Sequence, residues 1–150
     1  MLAAYTYDAA GRVKNITFAN GMQTLYAYDR ERNLASVETK NADGSILLSY
    51  SYQYDRNGNR TEKKDLKNGN STTYLYDTMQ RLSEAAYPET GKETYCYDEA
   101  GNRIQKQTQS YVEDYLYDKR NRLTQKSVKN STIKSPTNPD YVVDRKILTW

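Results

Sequence analysis

Six aspartates recur along this chain at Asp8, Asp29, Asp55, Asp77, Asp98 and Asp118, at intervals of 21, 26, 22, 21 and 20 residues. A row of carboxylates could hold a cation or share a proton. Asp55-Arg56-Asn57-Gly58-Asn59 has the opening of a calcium loop. Such a loop needs Gly at its sixth position and Glu at its twelfth. Here those positions are Arg60 and Leu66, so a calcium loop is rejected. The chain has no His, which removes His-based triads, acid–base pairs and metal sites. The single Cys, Cys96, excludes an internal disulfide. It is expected as a packed strand residue. Nothing cradles a phosphate. The expectation is no catalytic residue, no cofactor and no metal: not an enzyme.

The aspartates belong to a longer phrase. Each ends a Tyr-x-Tyr-Asp sequence: Tyr5-Tyr7, Tyr26-Tyr28, Tyr52-Tyr54, Tyr74-Tyr76, Tyr95-Tyr97 and Tyr115-Tyr117. A phrase repeating every ~20 residues marks a repeat architecture. Two tyrosines two residues apart share one face of a strand, and tyrosine suits a pleated surface. Asp then opens a type I turn, accepting a hydrogen bond from the backbone two residues on. Three residues later a three-residue hairpin loop needs a left-handed residue. That position reads Gly11, Arg32, Gly58, Gln80, Gly101 and Asn121. Gly is free to adopt positive φ and Asn is next best, so Arg32 and Gln80 imply turns built differently. Two residues further come Val13, Leu34, Arg60, Leu82, Arg103 and Leu123, expected opposite the second tyrosine as aromatic–aliphatic or aromatic–Arg pairs. Ile16 and Val37, three residues beyond, break alternation and call for a bulge or strong twist.

A second set of turns lies between the first: Asn20-Gly21, Asp43-Gly44, Asn68-Gly69 and Thr90-Gly91, with a fifth connection near Gln109–Tyr111. Each repeat is then strand, Asp turn, strand, Gly turn. The expected fold is all-β: about twelve antiparallel strands in repetitive hairpins forming a curved open sheet. Ile46–Tyr54 is its longest strand. Residues 1–128 hold six repeats. Residues 129–140, with Pro136 and Pro139, read as a linker or loop. Residues 141–150 read as the start of a further strand, with Ile147–Trp150 a second candidate.

Leu, Ile, Val and Phe together number only 23 of 150 residues, against 16 Tyr. A tyrosine buries roughly 150–250 Å² while its hydroxyl reaches a polar edge. The core is therefore expected to be thin, one tyrosine-covered sheet face. Net charge is +3, and 22 Lys and Arg are scattered among 19 acids, which reads as a solvated surface with no nucleic-acid partner. No apolar run reaches the ~20 residues of a membrane span. Met1-Leu2-Ala3-Ala4 runs into the first repeat without the pattern of a signal peptide. Asn15, Asn70 and Asn130 lie in Asn-x-Thr sequons, which matter only in a eukaryotic secretory pathway.

The six phrases resemble the YD-repeat, or Rhs-repeat, family, whose consensus is Tyr-x-Tyr-Asp-x-x-Gly-Arg-Leu. Residues 5–13 match it almost fully and 95–104 follow a Gly-Asn-Arg variant. Bacterial Rhs polymorphic toxins, wall-associated proteins, the cocoon of Tc toxins and teneurins belong to that family. The resemblance implies a sheet wound in a spiral shell, which in the toxins encloses a C-terminal toxic domain. It implies a secreted or bacterial cell-surface location. Partners would be the remainder of a longer Rhs-type chain or a toxin cargo. Six repeats are too few to close a shell, so free strand edges and self-association through them are expected.

Two functions of different class follow. One is a non-catalytic scaffold, a segment of such a shell. The other is an extracellular carbohydrate-binding or adhesion module, with Tyr50, Tyr87, Tyr111 and Tyr141 as spare rings for a cell-surface glycan. Buried repeat tyrosines favour the scaffold, and exposed rows of them favour binding.

Overall fold

A computed structural model describes residues 2–130 and the backbone of the strand Lys146–Thr149. The described residues are all-β. The strands are β1 (Ala3–Tyr7), β2 (Val13–Phe18), β3 (Gln23–Tyr28), β4 (Leu34–Lys40), β5 (Ile46–Tyr54), β6 (Arg60–Asp65), β7 (Ser71–Tyr76), β8 (Leu82–Tyr87), β9 (Gly91–Tyr97), β10 (Arg103–Gln107), β11 (Tyr111–Tyr117), β12 (Leu123–Asn130) and β13 (Lys146–Thr149). β5 is the longest, at 9 residues. The contacts divide into two compact units, residues 1–73 and 74–150. In each, strands pair antiparallel with their chain neighbours in an open sheet.

The Asp turns explain the hairpins. In the first, Gly11 N–H donates to the Asp8 carbonyl at 3.0 Å and Asp8 N–H donates to the Arg12 carbonyl at 2.9 Å. This is a three-residue loop whose third residue must be left-handed. Gly11, Gly58 and Gly101 have φ of 77°, 83° and 86°. Arg32 and Gln80, expected in differently built turns, adopt the same conformation with φ of 73° and 61°, as Asn121 does with 58°. The hydrogen bonds around the loop outweigh the cost of a Cβ at positive φ. The connection lacking Gly is closed instead by Thr108, whose Oγ1 accepts from the N–H of Ser110 and Tyr111.

Register places the bulge. Thr6 pairs with Asn15 but Tyr7 pairs with Val13, leaving Lys14 extra. Ala35, Thr61, Ile104 and Thr124 are passed over in the same way. One extra residue per hairpin lets both tyrosines of a phrase keep partners on one face: Tyr7–Val13 and Tyr5–Ile16, Tyr28–Leu34 and Tyr26–Val37.

β12 continues to Asn130, opposite Tyr111, so Lys129 and Asn130 belong to the last hairpin, not to the linker expected from 129. Residues 131–140 and the strand expected at 141–144 lie outside the described residues. The last expected strand is β13, which pairs with β12.

The core is thin. Among the described residues only Ala85, Tyr115, Thr24, Thr39 and Ser49 are buried, and no large side chain is fully enclosed. Cys96, expected to be packed, is exposed. It is the intervening residue of its phrase, so it points away from the tyrosine face.

Candidate functional site

The turn aspartates are saturated. Asp8 Oδ1 accepts from the N–H of Ala10 and of Arg12, each at 2.9 Å, and Oδ2 accepts from Arg12 Nε at 2.7 Å. Asp77 with Arg81 and Asp118 with Arg122 repeat this arrangement. Asn33, Asn59 and Asn102 do the same for Asp29, Asp55 and Asp98 through backbone N–H and side-chain amide. The fourth residue after Asp is thus always the clamp. Its bonds hold the carboxyls of Asp8 and Asp77 below the usual range, led by the backbone N–H of Arg12 and Arg81. At Asp55, Asp98 and Asp118 the side chains of Asn59, Asn102 and Arg122 lead. A carboxylate occupied on both oxygens by its own turn has little left for a cation or substrate. Among the described residues no group of three or more His, Cys, Asp or Glu could hold a metal.

The second tyrosine of a phrase reaches back to the preceding hairpin. In the first unit, Tyr28 donates its hydroxyl hydrogen to the Val13 carbonyl and Tyr54 to the Leu34 carbonyl, both at 3.0 Å. In the second, Tyr97 donates to Leu82 at 2.8 Å and Tyr117 to Arg103 at 3.1 Å. The acceptor is in each case the residue that opens the return strand. Cations cover the rings: Arg12 lies 4.3 Å from the Tyr28 centroid, Arg81 4.6 Å from Tyr97, Arg60 4.4 Å from Tyr52 and Arg103 4.9 Å from Tyr115. Arg12 and Arg81 therefore join the Asp turn of one repeat to the tyrosine of the next. Tyr26, Tyr52, Tyr74, Tyr76 and Tyr95 are half-buried. Only Tyr5 and Tyr7 of the twelve stand exposed, at 53% and 59%.

The second unit adds a charge ladder. On the tyrosine face Lys106 of β10 pairs in register with Glu113 of β11. Lys106 Nζ lies 2.8 Å from Glu93, and Lys126 Nζ 2.7 Å from Glu113. Tyr95 and Tyr115 each donate to the glutamate two residues before them. Burial raises both glutamates, but the bonds from Lys106 and Tyr95, and from Lys126 and Tyr115, win and leave them lowered. Burial first, then Glu113, pushes Tyr115 up to about 12.

The ladder has an unread signature in the sequence. The residue two before the first tyrosine and the residue 13 further on form the pairs Ala3–Ile16, Thr24–Val37, Tyr50–Lys63, Thr72–Ala85, Glu93–Lys106 and Glu113–Lys126. Lys occurs only with Glu or Tyr. The tyrosine case stacks, with Lys63 Nζ 4.2 Å from the Tyr50 ring. Tyr50 and Tyr111, set aside as spare rings, are half-buried, and Tyr111 lies 6.0 Å from Lys106 Nζ. Tyr87 is half-buried too, and Tyr141 lies outside the described residues.

These features agree with the relatives. The RHS Repeat family model matches residues 7–46. The tRNA nuclease WapA of Bacillus subtilis (strain 168) is 34% identical over 116 residues, covering 76% of this chain and 4% of that protein. The chain belongs to the RHS-repeat family. A tRNA3(Ser)-specific nuclease WapA of Bacillus spizizenii matches at the same 34% identity over 116 residues, again 76% of this chain and 4% of the relative. Among solved structures, a TcdB2–TccC3 protein lacking its hypervariable C-terminal region superposes with a TM-score of 0.73 at 22% identity, over 85% of this chain and 7% of that one. The Photorhabdus luminescens Tc holotoxin pore gives 0.66 at 17%, over 97% and 10%. At these identities the RHS-repeat chain shares their fold. It spans a small fraction of each relative's length.

Proposed function

We propose that this chain is a non-catalytic scaffold, a stretch of repeat wall from a larger RHS-repeat protein that encloses a C-terminal toxin domain. The observation that supports it is where the polar groups go. The carboxylates close their own turns, the tyrosine hydroxyls bind neighbouring hairpins, and the arginines cover rings. These are self-assembly contacts. The nuclease named for the Bacillus relatives belongs to proteins of which this chain spans about 4%, and no step of such a reaction is assigned to it. The protein's partners are then the rest of a longer RHS-type chain and its cargo, and its place is outside the bacterial cell or on its surface. No helix among the described residues is long and apolar enough to cross a membrane.

The test uses the polypeptide that carries this segment together with its downstream domain. An enclosed domain resists trypsin while the repeats are folded and is cut once urea unfolds them. Digestion in native buffer at the rate of the free domain overturns the scaffold reading.

A carbohydrate-binding reading keeps one support, the exposed rings of Tyr5 and Tyr7, since stacking on a sugar needs solvent-facing aromatics. A glycan array on the isolated chain tests it. An isolated segment with an unpaired edge is also expected to self-associate, and light scattering on dilution measures this.

A further inference from the structure

The sequence holds three Asn-Gly pairs, Asn20-Gly21, Asn57-Gly58 and Asn68-Gly69, and each asparagine is exposed. Two of them sit in turns closed by the same backbone bonds. Gly21 N–H donates to the Phe18 carbonyl at 2.9 Å and Phe18 N–H to the Met22 carbonyl at 2.8 Å. Gly58 N–H donates to the Asp55 carbonyl at 3.1 Å and Asp55 N–H to the Asn59 carbonyl at 2.9 Å. Asn20 and Asn57 therefore occupy the same place in their turns, and Phe18 stands where the other turn has Asp55. That difference changes what holds the asparagine. Asn20 Oδ1 accepts from the N–H of Met22, two residues on, at 3.1 Å, and Asn68 Oδ1 accepts from the N–H of Asn70 at 2.8 Å. The N–H two residues beyond Asn57 is that of Asn59, and Asp55 Oδ1 takes it at 2.9 Å. Asn57 donates its own backbone N–H to Asp55 Oδ1, and among the described residues nothing bonds its side-chain amide.

We propose that Asn57 is a self-modification site of this chain, losing ammonia to become aspartate and isoaspartate faster than Asn20 or Asn68. The Gly58 nitrogen attacks Cγ of Asn57. A nitrogen–carbon bond forms, the Cγ–Nδ2 bond breaks, and Nδ2 leaves as ammonia with the proton that Gly58 gives up. Water then opens the five-membered imide at one of its two carbonyls, giving aspartate or isoaspartate. Glycine permits the approach because no Cβ crowds its nitrogen. The side chain must rotate onto that nitrogen, and an anchored amide must first give up its hydrogen bond. Asn20 and Asn68 carry that barrier and Asn57 does not. The aspartate that closes the turn is thus what leaves its asparagine unanchored. Isoaspartate adds one atom to the backbone between Asp55 and Gly58. This displaces the Gly58 N–H from the Asp55 carbonyl and loosens the β5–β6 hairpin.

The test is the full chain, incubated in mildly alkaline buffer and sampled over time. Peptide mass mapping reads the amide-to-acid mass change at each Asn-Gly pair, and an isoaspartyl methyltransferase labels the isoaspartate product. Asn57 is expected to react about tenfold faster than Asn20 or Asn68, the rate equivalent of one hydrogen bond that need not be broken. In concentrated urea the three rates should converge. Equal rates in native buffer overturn the proposal. So does an excess at Asn57 that persists in urea, since it would belong to the flanking sequence. The variant Phe18→Asp tests the cause. It puts a carboxylate at the place in the first turn that Asp55 holds in the other, where it can take the Met22 N–H from Asn20. Asn20 should then react at close to the Asn57 rate, with Asn57 and Asn68 unchanged and hydrogen-exchange protection of β2 and β3 retained. An unchanged Asn20 rate in that folded variant overturns the role given to Asp55. The comparison within the wild-type chain holds whether or not the variant folds.

Discussion

Tyr97 donates its hydroxyl hydrogen to the carbonyl oxygen of Leu82, 2.8 Å away and fifteen residues earlier. Arg81, the residue before Leu82, lies over the Tyr97 ring and also donates from Nη1 to the Asp98 carbonyl at 3.1 Å. Two neighbouring residues of one hairpin thus hold both the polar end and the face of a tyrosine from the next.

Removing the hydroxyl isolates the first of these contacts. Tyr97→Phe is expected to destabilise the chain by about 1 kcal/mol, the usual net value of a hydrogen bond. Tyr7→Phe, at an exposed ring, should change stability negligibly. Urea unfolding of both variants makes the comparison, and equal effects would show that the latch adds nothing.

Burial separates two tyrosines that look alike in sequence. Tyr115 is 7% exposed and Tyr7 59%. Tyr115→Ala is expected to cost roughly 3–5 kcal/mol, as for other packed aromatics. Tyr7→Ala should cost less than ~1 kcal/mol, in line with most surface substitutions. Denaturation midpoints at constant slope measure the difference.

The left-handed turn residues should respond in the opposite sense. Gln80 sits at φ 61°, where a Cβ is unfavourable and Gly is not. Gln80→Gly is expected to stabilise by about 0.5–1 kcal/mol, the relief of strain being partly offset by the freer unfolded chain. Gly58→Val, at φ 83°, should destabilise by on the order of 1–2 kcal/mol. Thermal unfolding of both variants tests the sign.

The ladder should show as coupling. Glu93 and Lys106 are both less than one-fifth exposed. A double-mutant cycle with Glu93→Gln and Lys106→Met is expected to give a coupling of roughly 0.5–1 kcal/mol. Additive single effects would mean that the pair is only an accident of proximity.

Stability should fall at both ends of the pH scale. Asp8, Asp55, Asp77, Asp98 and Asp118, with Glu93 and Glu113, have carboxyls lowered on folding from ordinary values of 3.8 and 4.5. Their contribution is complete above those values and is lost as pH falls through the lower folded ones. Tyr115, raised from 10.0 to about 12, contributes below 10 and loses its share as pH rises toward 12, and Lys106, raised above 10.5 by Glu93, acts in the same direction. Urea midpoints between pH 2 and 12 should form a plateau with loss on both sides. Asp77→Asn should flatten the acid limb.

What the sequence by itself determined is what neighbouring residues can settle. The period, the strands, the aspartate that opens each turn and the residue opposite each second tyrosine lie within a few residues of one another. Local hydrogen bonding and alternation suffice for these. Even the clamp at the fourth residue after Asp, and the pairing of Glu or Tyr with Lys thirteen residues on, were legible in aligned repeats. Arg32 and Gln80 depart from what intrinsic φ preference alone implies, because the turn's hydrogen bonds outweigh it. Only the tertiary structure decided where the tyrosine hydroxyls go, which arginine covers which ring, that Cys96 faces solvent and that Tyr5 and Tyr7 lie open. Those outcomes depend on one extra residue in each return strand and on which strand comes alongside. Both are properties of pairing between hairpins, which no single repeat contains.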